Sequence, residues 1–169
     1  SIGGHGEGQL TLVDGRGYSI LNGRLKELNF QIEEGVDLSQ EELQRGQIML
    51  VLAPKQPFSS SEVDALRVHL KRGGDALLLL DPGPPTGLEA LLEEYSVELG
   101  QNFIVDLSPV GQLFGADVSM PVVLRYGAHP ITETLAGGTM SFYPFARSVT
   151  KGLYQPPGTE VDELVLTDQ

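Results

Sequence analysis

Two nearly unbroken apolar runs constrain this chain most: "QIMLVLA" at 47–53 and "DALLLLD" at 75–81. Neither alternates polar with apolar residues. Each therefore reads as a strand covered on both faces, the usual state of strands in a parallel sheet. Between them lies "SSSEVDALRVHLKRGG". Ser59 followed by Glu62 fits a capping box. Val63, Leu66 and Leu70 fall on one helical face, and Gly73-Gly74 stops the helix. Strand, capped helix, glycine stop and strand make a βαβ unit, with a right-handed crossover expected.

The same rhythm extends to both sides. Tyr18, Leu21, Leu25 and Leu28 recur at spacings of three and four and predict a helix, with "NFQIEE" (29–34) as the strand after it. Thr86 with Glu89 predicts a second capping box. It opens a helix lined by Leu88, Leu91, Leu92 and Tyr95, and "NFIVDL" (102–107) reads as a further strand. Beyond Asp106 the alternation stops. "ADVSMPVVLRYG" and "GGTMSFYPFARSV" read as β-rich, with a short helical turn opening at Pro130 between them. The expected organisation is one α/β ligand- or partner-binding domain over 1–150, β-rich from about 108, with 151–169 as a tail or the start of a further segment.

A hydrophobic fraction of 40% is enough for a real core. The 11 basic and 23 acidic residues leave a net charge of −12. That disfavours nucleic acid, whose phosphates demand Lys and Arg patches, and anionic lipid for the same reason. The absence of cysteine excludes disulfides, thiolate catalysis and cysteine metal sites. No run is long and apolar enough to span a bilayer, and no signal peptide is recognisable. The start at Ser1-Ile2 and the end in "ELVLTDQ" read as a piece of a longer polypeptide, with targeting or membrane segments outside it.

In open α/β sheets, ligands sit outside the carboxyl ends of the strands. "GHGE" (4–7), "APKQP" (53–57) and "DPGPP" (81–85) are expected at that edge, so His5, Gly6, Glu7, Lys55 and Asp81 become candidate ligand contacts. Glycines beside His5 permit close backbone approach and positive φ. Each candidate has a plainer alternative. His5 can cap a helix or bond backbone, Lys55 can be solvated, and Asp81 can cap its Asp-Pro turn. His129, in "HPIT", precedes a proline and either sits in a structured turn or contacts ligand. Arg147 lies among Phe142, Tyr143 and Phe145, so it either pairs with a carboxylate or recognises an anion or sugar. His69 is expected to be partly exposed on its helix.

Several chemistries lack their parts. "GHGEG" has neither the spacing of a dinucleotide fingerprint nor the lysine and hydroxyl of a phosphate loop. His5, Glu7, Asp81 and His129 offer nitrogen and oxygen donors without a metal-ligand spacing, so no metal or cofactor is expected. The strand ends Ala53-Pro54 and Asp81-Pro82 carry no nucleophile elbow, and Ser59, Ser60 and Ser61 suit helix caps.

Taken in order, "GGHGEG", "IMLVLAPKQPFSSSEVDALRVHLKRGGDALLLLDP", "GLEALLEEYSV", "FIVD", "HPIT" and "FARSV" resemble the extracytoplasmic domain of ABC-type transport auxiliary proteins of the gliding-motility kind. That family is related to the domain shared with intraflagellar transport proteins. The resemblance implies a three-layer α/β fold, flavodoxin-like or class I glutamine-amidotransferase-like, with a mostly parallel sheet and a β-rich C-terminal extension. It implies a non-enzymatic accessory domain binding a ligand, carbohydrate included, or a partner protein. It also implies periplasmic placement, membrane anchoring through segments outside this chain, and ABC-2 type permease and ATPase subunits as partners. Two alternatives stay open. One is a hydrolase- or amidotransferase-like enzyme using Glu7 or His5 as acid–base, and the other is a purely structural protein-interaction module.

Overall fold

The computed structural model describes residues 4–13, 17–38, 43–44, 46–108, 111, 113, 115 and 117–167. The chain divides into two compact units. One comprises Ser1–Leu80 with Pro85–Leu88, the other Asp81–Pro84 with Glu89–Gln169. The chain thus leaves the first unit at Asp81, returns to it for four residues, and leaves again at Glu89.

The first unit holds the two apolar runs as β1 (Ile48–Leu52) and β2 (Asp75–Leu79). They pair in parallel, from Ile48 opposite Asp75 to Leu52 opposite Leu79. Between them α2 (Ser60–Lys71) lies against β2. Its N-terminus closes with the expected capping box. Ser59 Oγ accepts from Glu62 N at 3.4 Å, and Glu62 Oε2 accepts from Ser59 N at 2.8 Å. Val63 and Leu66 point into the core with Met49, Val51, Leu52 and Leu88. Each such side chain, fully buried, contributes about 1.5–3 kcal/mol.

Gly73, with φ +81°, ends α2. A Cβ on the next residue, Gly74, would collide with the His69 imidazole. His69 is buried rather than partly exposed, because its Nε2 lies 3.1 Å from the Asp75 carbonyl oxygen at the start of β2. The preceding helix, α1 (Ser19–Glu27), buries no residue fully. Tyr18, Leu21 and Leu25 of its expected stripe are half-buried, and Leu28 is exposed.

The second unit opens with the short α3 (Glu89–Glu93), followed by β3 (Val97–Leu99), β4 (Val122–Val123), β5 (Arg125–Tyr126), β6 (Ser141–Phe142), β7 (Val149–Lys151) and β8 (Val165–Leu166). These strands form three antiparallel pairs: β3 with β7, β4 with β6, and β5 with β8. Ser96 is buried in a left-handed conformation (φ +60°) and its hydroxyl donates to Tyr154 O at 2.6 Å. Leu91, Pro121 and Val123 are fully buried in this unit.

The three-layer, mostly parallel, flavodoxin-like or amidotransferase-like expectation is therefore corrected. Among the described residues the sheets are two-stranded, and only β1 with β2 is parallel. Two expected strands are missing for local reasons. At 29–34, Asn29 takes φ +64° and Phe30 N donates back to Leu25 O, so the segment wraps the end of α1. At 102–107 the backbone pairs only at points, Ile104 N with Ala146 O and Asp106 N with Val118 O. The Asp106 carboxylate then accepts from Ser108 N and Val122 N, taking donors that a ladder would use. At the second expected capping box the structure differs in where the helix starts. Thr86 Oγ1 accepts instead from Leu88 N, and α3 begins only at Glu89. The turn expected to open at Pro130 consists of hydrogen-bonded turns over 130–138. No described helix is long and apolar enough to cross a membrane.

Candidate functional site

The glycine-flanked histidine at the start of the chain is built into the protein. Gly4 and Gly6 take φ +105° and +68°. A Cβ on Gly6 would press to 3.3 Å from Lys55 Cβ, so the loop needs glycine there both for backbone conformation and for closeness. The His5 carbonyl accepts from Lys55 N (2.7 Å) and Gln56 N (3.0 Å), and Gly8 N donates to Leu52 O at 2.9 Å. These bonds fasten residues 5–8 along the end of β1. Ala53 at that end is itself left-handed, with φ +51° just before Pro54.

The His5 side chain turns inward and is 8% exposed. Its ring stacks on Phe58 with centroids 4.1 Å apart and planes inclined by 25°. Nδ1 lies 3.4 Å from Glu7 Oε1, and Nε2 lies 3.3 Å from Glu62 Oε2. The other Glu7 oxygen accepts from His5 N at 3.0 Å. Each imidazole nitrogen thus faces a carboxylate. Burial pushes the Glu62 carboxyl up, but bonds from the Ser59 hydroxyl and amide, with His5 beside it, outweigh burial and hold it below the ordinary value.

This cluster contains Ser59, Glu62 and His5 in hydrogen-bonding and ion-pairing reach, which invites comparison with a hydrolytic triad. Their order is wrong for one. Ser59 Oγ donates to Glu62 Oε2 at 2.6 Å, and the same oxygen faces His5. The carboxylate sits in the middle, so the imidazole has no hydroxyl to deprotonate. The assembly ties the first loop, the end of β1 and the first turn of α2 together.

Of the residues singled out from sequence, His5, Gly6, Glu7 and Lys55 meet here. Lys55 contributes its backbone amide, while its side chain is exposed. Asp81, His129 and Arg147 belong to the second unit. Arg147 is buried without a carboxylate. Its Nε donates to Gly100 O at 2.8 Å and its Nη1 to Asp81 O at 3.2 Å, so backbone carbonyls replace the expected ion pair. His129 Nδ1 accepts from Ile131 N at 3.1 Å, and its carbonyl accepts from Thr132 N at 2.9 Å, which makes "HPIT" a closed turn. Among the described residues no group of three or more His, Asp or Glu side chains is arranged to hold a metal. Sequence reasoning missed Phe58, for which no signal existed, and the second partner of Glu62, whose only visible task was the cap.

The sequence model of the IFT52 GIFT domain matches residues 10–108. The chain belongs to the IFT52 GIFT domain family. It is 30% identical over 94 residues to the intraflagellar transport protein 52 homolog of Mus musculus, covering 53% of this chain and 22% of that protein. The chain therefore spans about a fifth of that relative's length. The solved mmIFT52 N-terminal domain superposes with a TM-score of 0.65 at 21% identity, over 79% of this chain and 60% of the other. That likeness concerns the fold alone.

These matches overturn the resemblance to ABC-type transport auxiliary proteins. The transport-accessory function, the gliding-motility and carbohydrate associations, the ABC-2 permease and ATPase partners and the periplasmic, membrane-anchored placement fall with it. The reason is visible in the motifs. The longest quoted segments, from "IMLVLAPKQPFS" through "RGGDALLLLDP", lie inside the matched 10–108. They report the shared βαβ unit and cannot single out one user of it. "GHGE" (4–7) and "HPIT" (129–132) lie outside the match, where they serve as local clamp and turn.

Proposed function

We propose that this chain is a non-enzymatic protein-interaction domain of the intraflagellar transport type. Membership of the IFT52 GIFT domain family supports the system. One observation carries the absence of catalysis: the Ser59–Glu62–His5 order, with the carboxylate between an exposed hydroxyl and a buried imidazole. A general base must reach the proton it takes. His5 faces carboxylates at both nitrogens and an aromatic ring on one face, so no substrate hydroxyl or water comes within its reach. On this reading His5, Gly6 and Glu7 are a structural fastening, and Lys55 serves through its backbone. Arg147, Asp81 and His129 hold loops of the second unit.

The test is reconstitution. The chain is mixed with purified intraflagellar transport proteins and followed by size-exclusion chromatography with light scattering. Co-elution with at least one of them is the expected result. In parallel, generic ester, amide and glycoside substrates should show no turnover. Turnover that Glu7→Gln abolishes overturns the non-enzymatic reading, and failure to bind any transport protein overturns the interaction reading.

A further inference from the structure

The loop that follows β7 in the second unit presents two large apolar side chains to solvent. Leu153 is 106% exposed and Tyr154 73%. Their backbone is nonetheless fixed by hydrogen bonds. Gly152 N donates to Ser96 O at 2.8 Å, and the buried Ser96 hydroxyl donates to Tyr154 O at 2.6 Å. Further along, Thr159 N donates to Pro156 O at 3.1 Å across Pro157 and Gly158. Proline followed by a glycine at φ +80° is the pattern of a type II turn. Gln155 Nε2 donates to Thr159 O at 2.7 Å and braces that turn.

The foot of the loop is acidic. Glu98 Oε1 lies 3.1 Å from where a Cβ on Gly152 would stand. Glu163 Oε1 accepts from Lys151 N at 3.2 Å, a bond to a neutral amide that leaves the carboxylate charge in place. Glu98 and Glu163 are both exposed, as are Glu160 and Asp162 near them in sequence. Lys151 is the one basic residue in 149–167.

We propose that this loop is a preset docking element, whose Leu153 and Tyr154 enter an apolar pocket of a partner protein with Lys or Arg on its rim. The inference rests on the interaction-domain reading and gives it a place. Side chains carried on a fixed backbone lose less freedom on binding, and tyrosine is a frequent anchor of interfaces. A projecting pair calls for a concave counterpart. Charge selects the rim. The carboxylates at the foot repel both a second copy of this chain, at net charge −12, and an anionic membrane surface. The loop lies outside the matched residues 10–108, so family membership does not account for it.

The test uses the 169-residue chain and each purified intraflagellar transport protein that co-elutes with it, with Kd read by biolayer interferometry. Leu153→Ser with Tyr154→Ser, both on the surface, should weaken binding at least about thirtyfold. Glu98→Lys should weaken it about threefold to tenfold, and added salt should weaken binding of the parent. Gly158→Ala has open space around it but strains the turn, so it should lose about fivefold with both anchors still present. Circular dichroism matching the parent establishes that each variant is folded. Equal binding by any of the three variants overturns the proposal and leaves the interaction domain standing. Co-sedimentation with phosphatidylcholine or phosphatidylserine vesicles that the double variant abolishes would assign the pair to lipid and overturn it. Self-association abolished in the same way would assign the pair to a second copy, with the same consequence. Binding of no transport protein at all overturns the interaction reading and this proposal with it.

Discussion

Replacing His5 by alanine tests the fastening directly. The backbone carbonyl that holds Lys55 N and Gln56 N remains, so only the ring is lost. Its stack on Phe58 contributes about 0.5–1.5 kcal/mol. Removing it also leaves the Glu7 carboxylate, whose side chain is 6% exposed, without the group it faces. Glu7 Oε1 makes no hydrogen bond even with the ring in place, so what is lost there is an electrostatic contact worth up to about 1 kcal/mol. The sum is about 1–2 kcal/mol, which for a chain of this length lowers a melting midpoint by about 5 °C. A double-mutant cycle of His5→Ala with Glu62→Gln should return a coupling of about 1–2 kcal/mol, since the two groups lie 3.3 Å apart. Chemical denaturation gives the energies. Hydrogen exchange at the Lys55 and Gln56 amides gives the place, and both should open sooner in the variant. If His5→Ala melts within about 2 °C of the parent and both amides stay protected, the ring is a bystander and the fastening is misread.

Three further outcomes follow from the geometry. The Glu62 carboxyl is held below its ordinary value of 4.5 in the folded state, so its stabilisation is complete above that pH and is lost as pH falls through the lower folded value. Urea denaturation at pH 7 and pH 3 should show this loss, and Glu62→Gln should flatten it. Ser59→Ala removes the cap of α2 and should cost about 1 kcal/mol, seen as a lower urea midpoint with an unchanged slope. Arg147→Met keeps the length of the side chain but leaves Gly100 O and Asp81 O without their donor. It should cost about 2 kcal/mol and speed hydrogen exchange in the second unit while leaving β1 and β2 unaffected.

What was legible in the sequence was local and periodic. β1, α2 and β2 follow from unbroken apolar runs, a Ser-x-x-Glu cap and a glycine stop, each within a few residues of the next. The failures at 29–34 and 102–107 are of another kind. Both segments have strand composition, but a strand needs a partner along its length, and partner choice is settled elsewhere in the chain. Asn29 turning left-handed and Asp106 capturing two backbone donors are the events that decide against a ladder. The site shows the same division. That His5 needed glycine neighbours was readable. Whether it faced outward or inward depended on Phe58 and Glu62, more than fifty residues away, and their own pattern signalled only a helix start. Arg147 was recognisable as a buried cation needing acceptors, but not that backbone carbonyls would supply them.

The return of the chain at Pro85–Leu88 limits how the molecule can be dissected. Phe58 N donates to Thr86 O at 2.8 Å, and the Leu88 side chain is wholly enclosed in the first unit. A fragment ended at Leu80 would lose both, and with them part of the support for the ring on which His5 rests. The shortest N-terminal piece worth expressing therefore runs to Leu88, and it necessarily carries the bend at Asp81–Pro84, which belongs to the other unit. During synthesis the same stitch means that the first unit cannot finish folding until the ribosome has passed the point where the second begins.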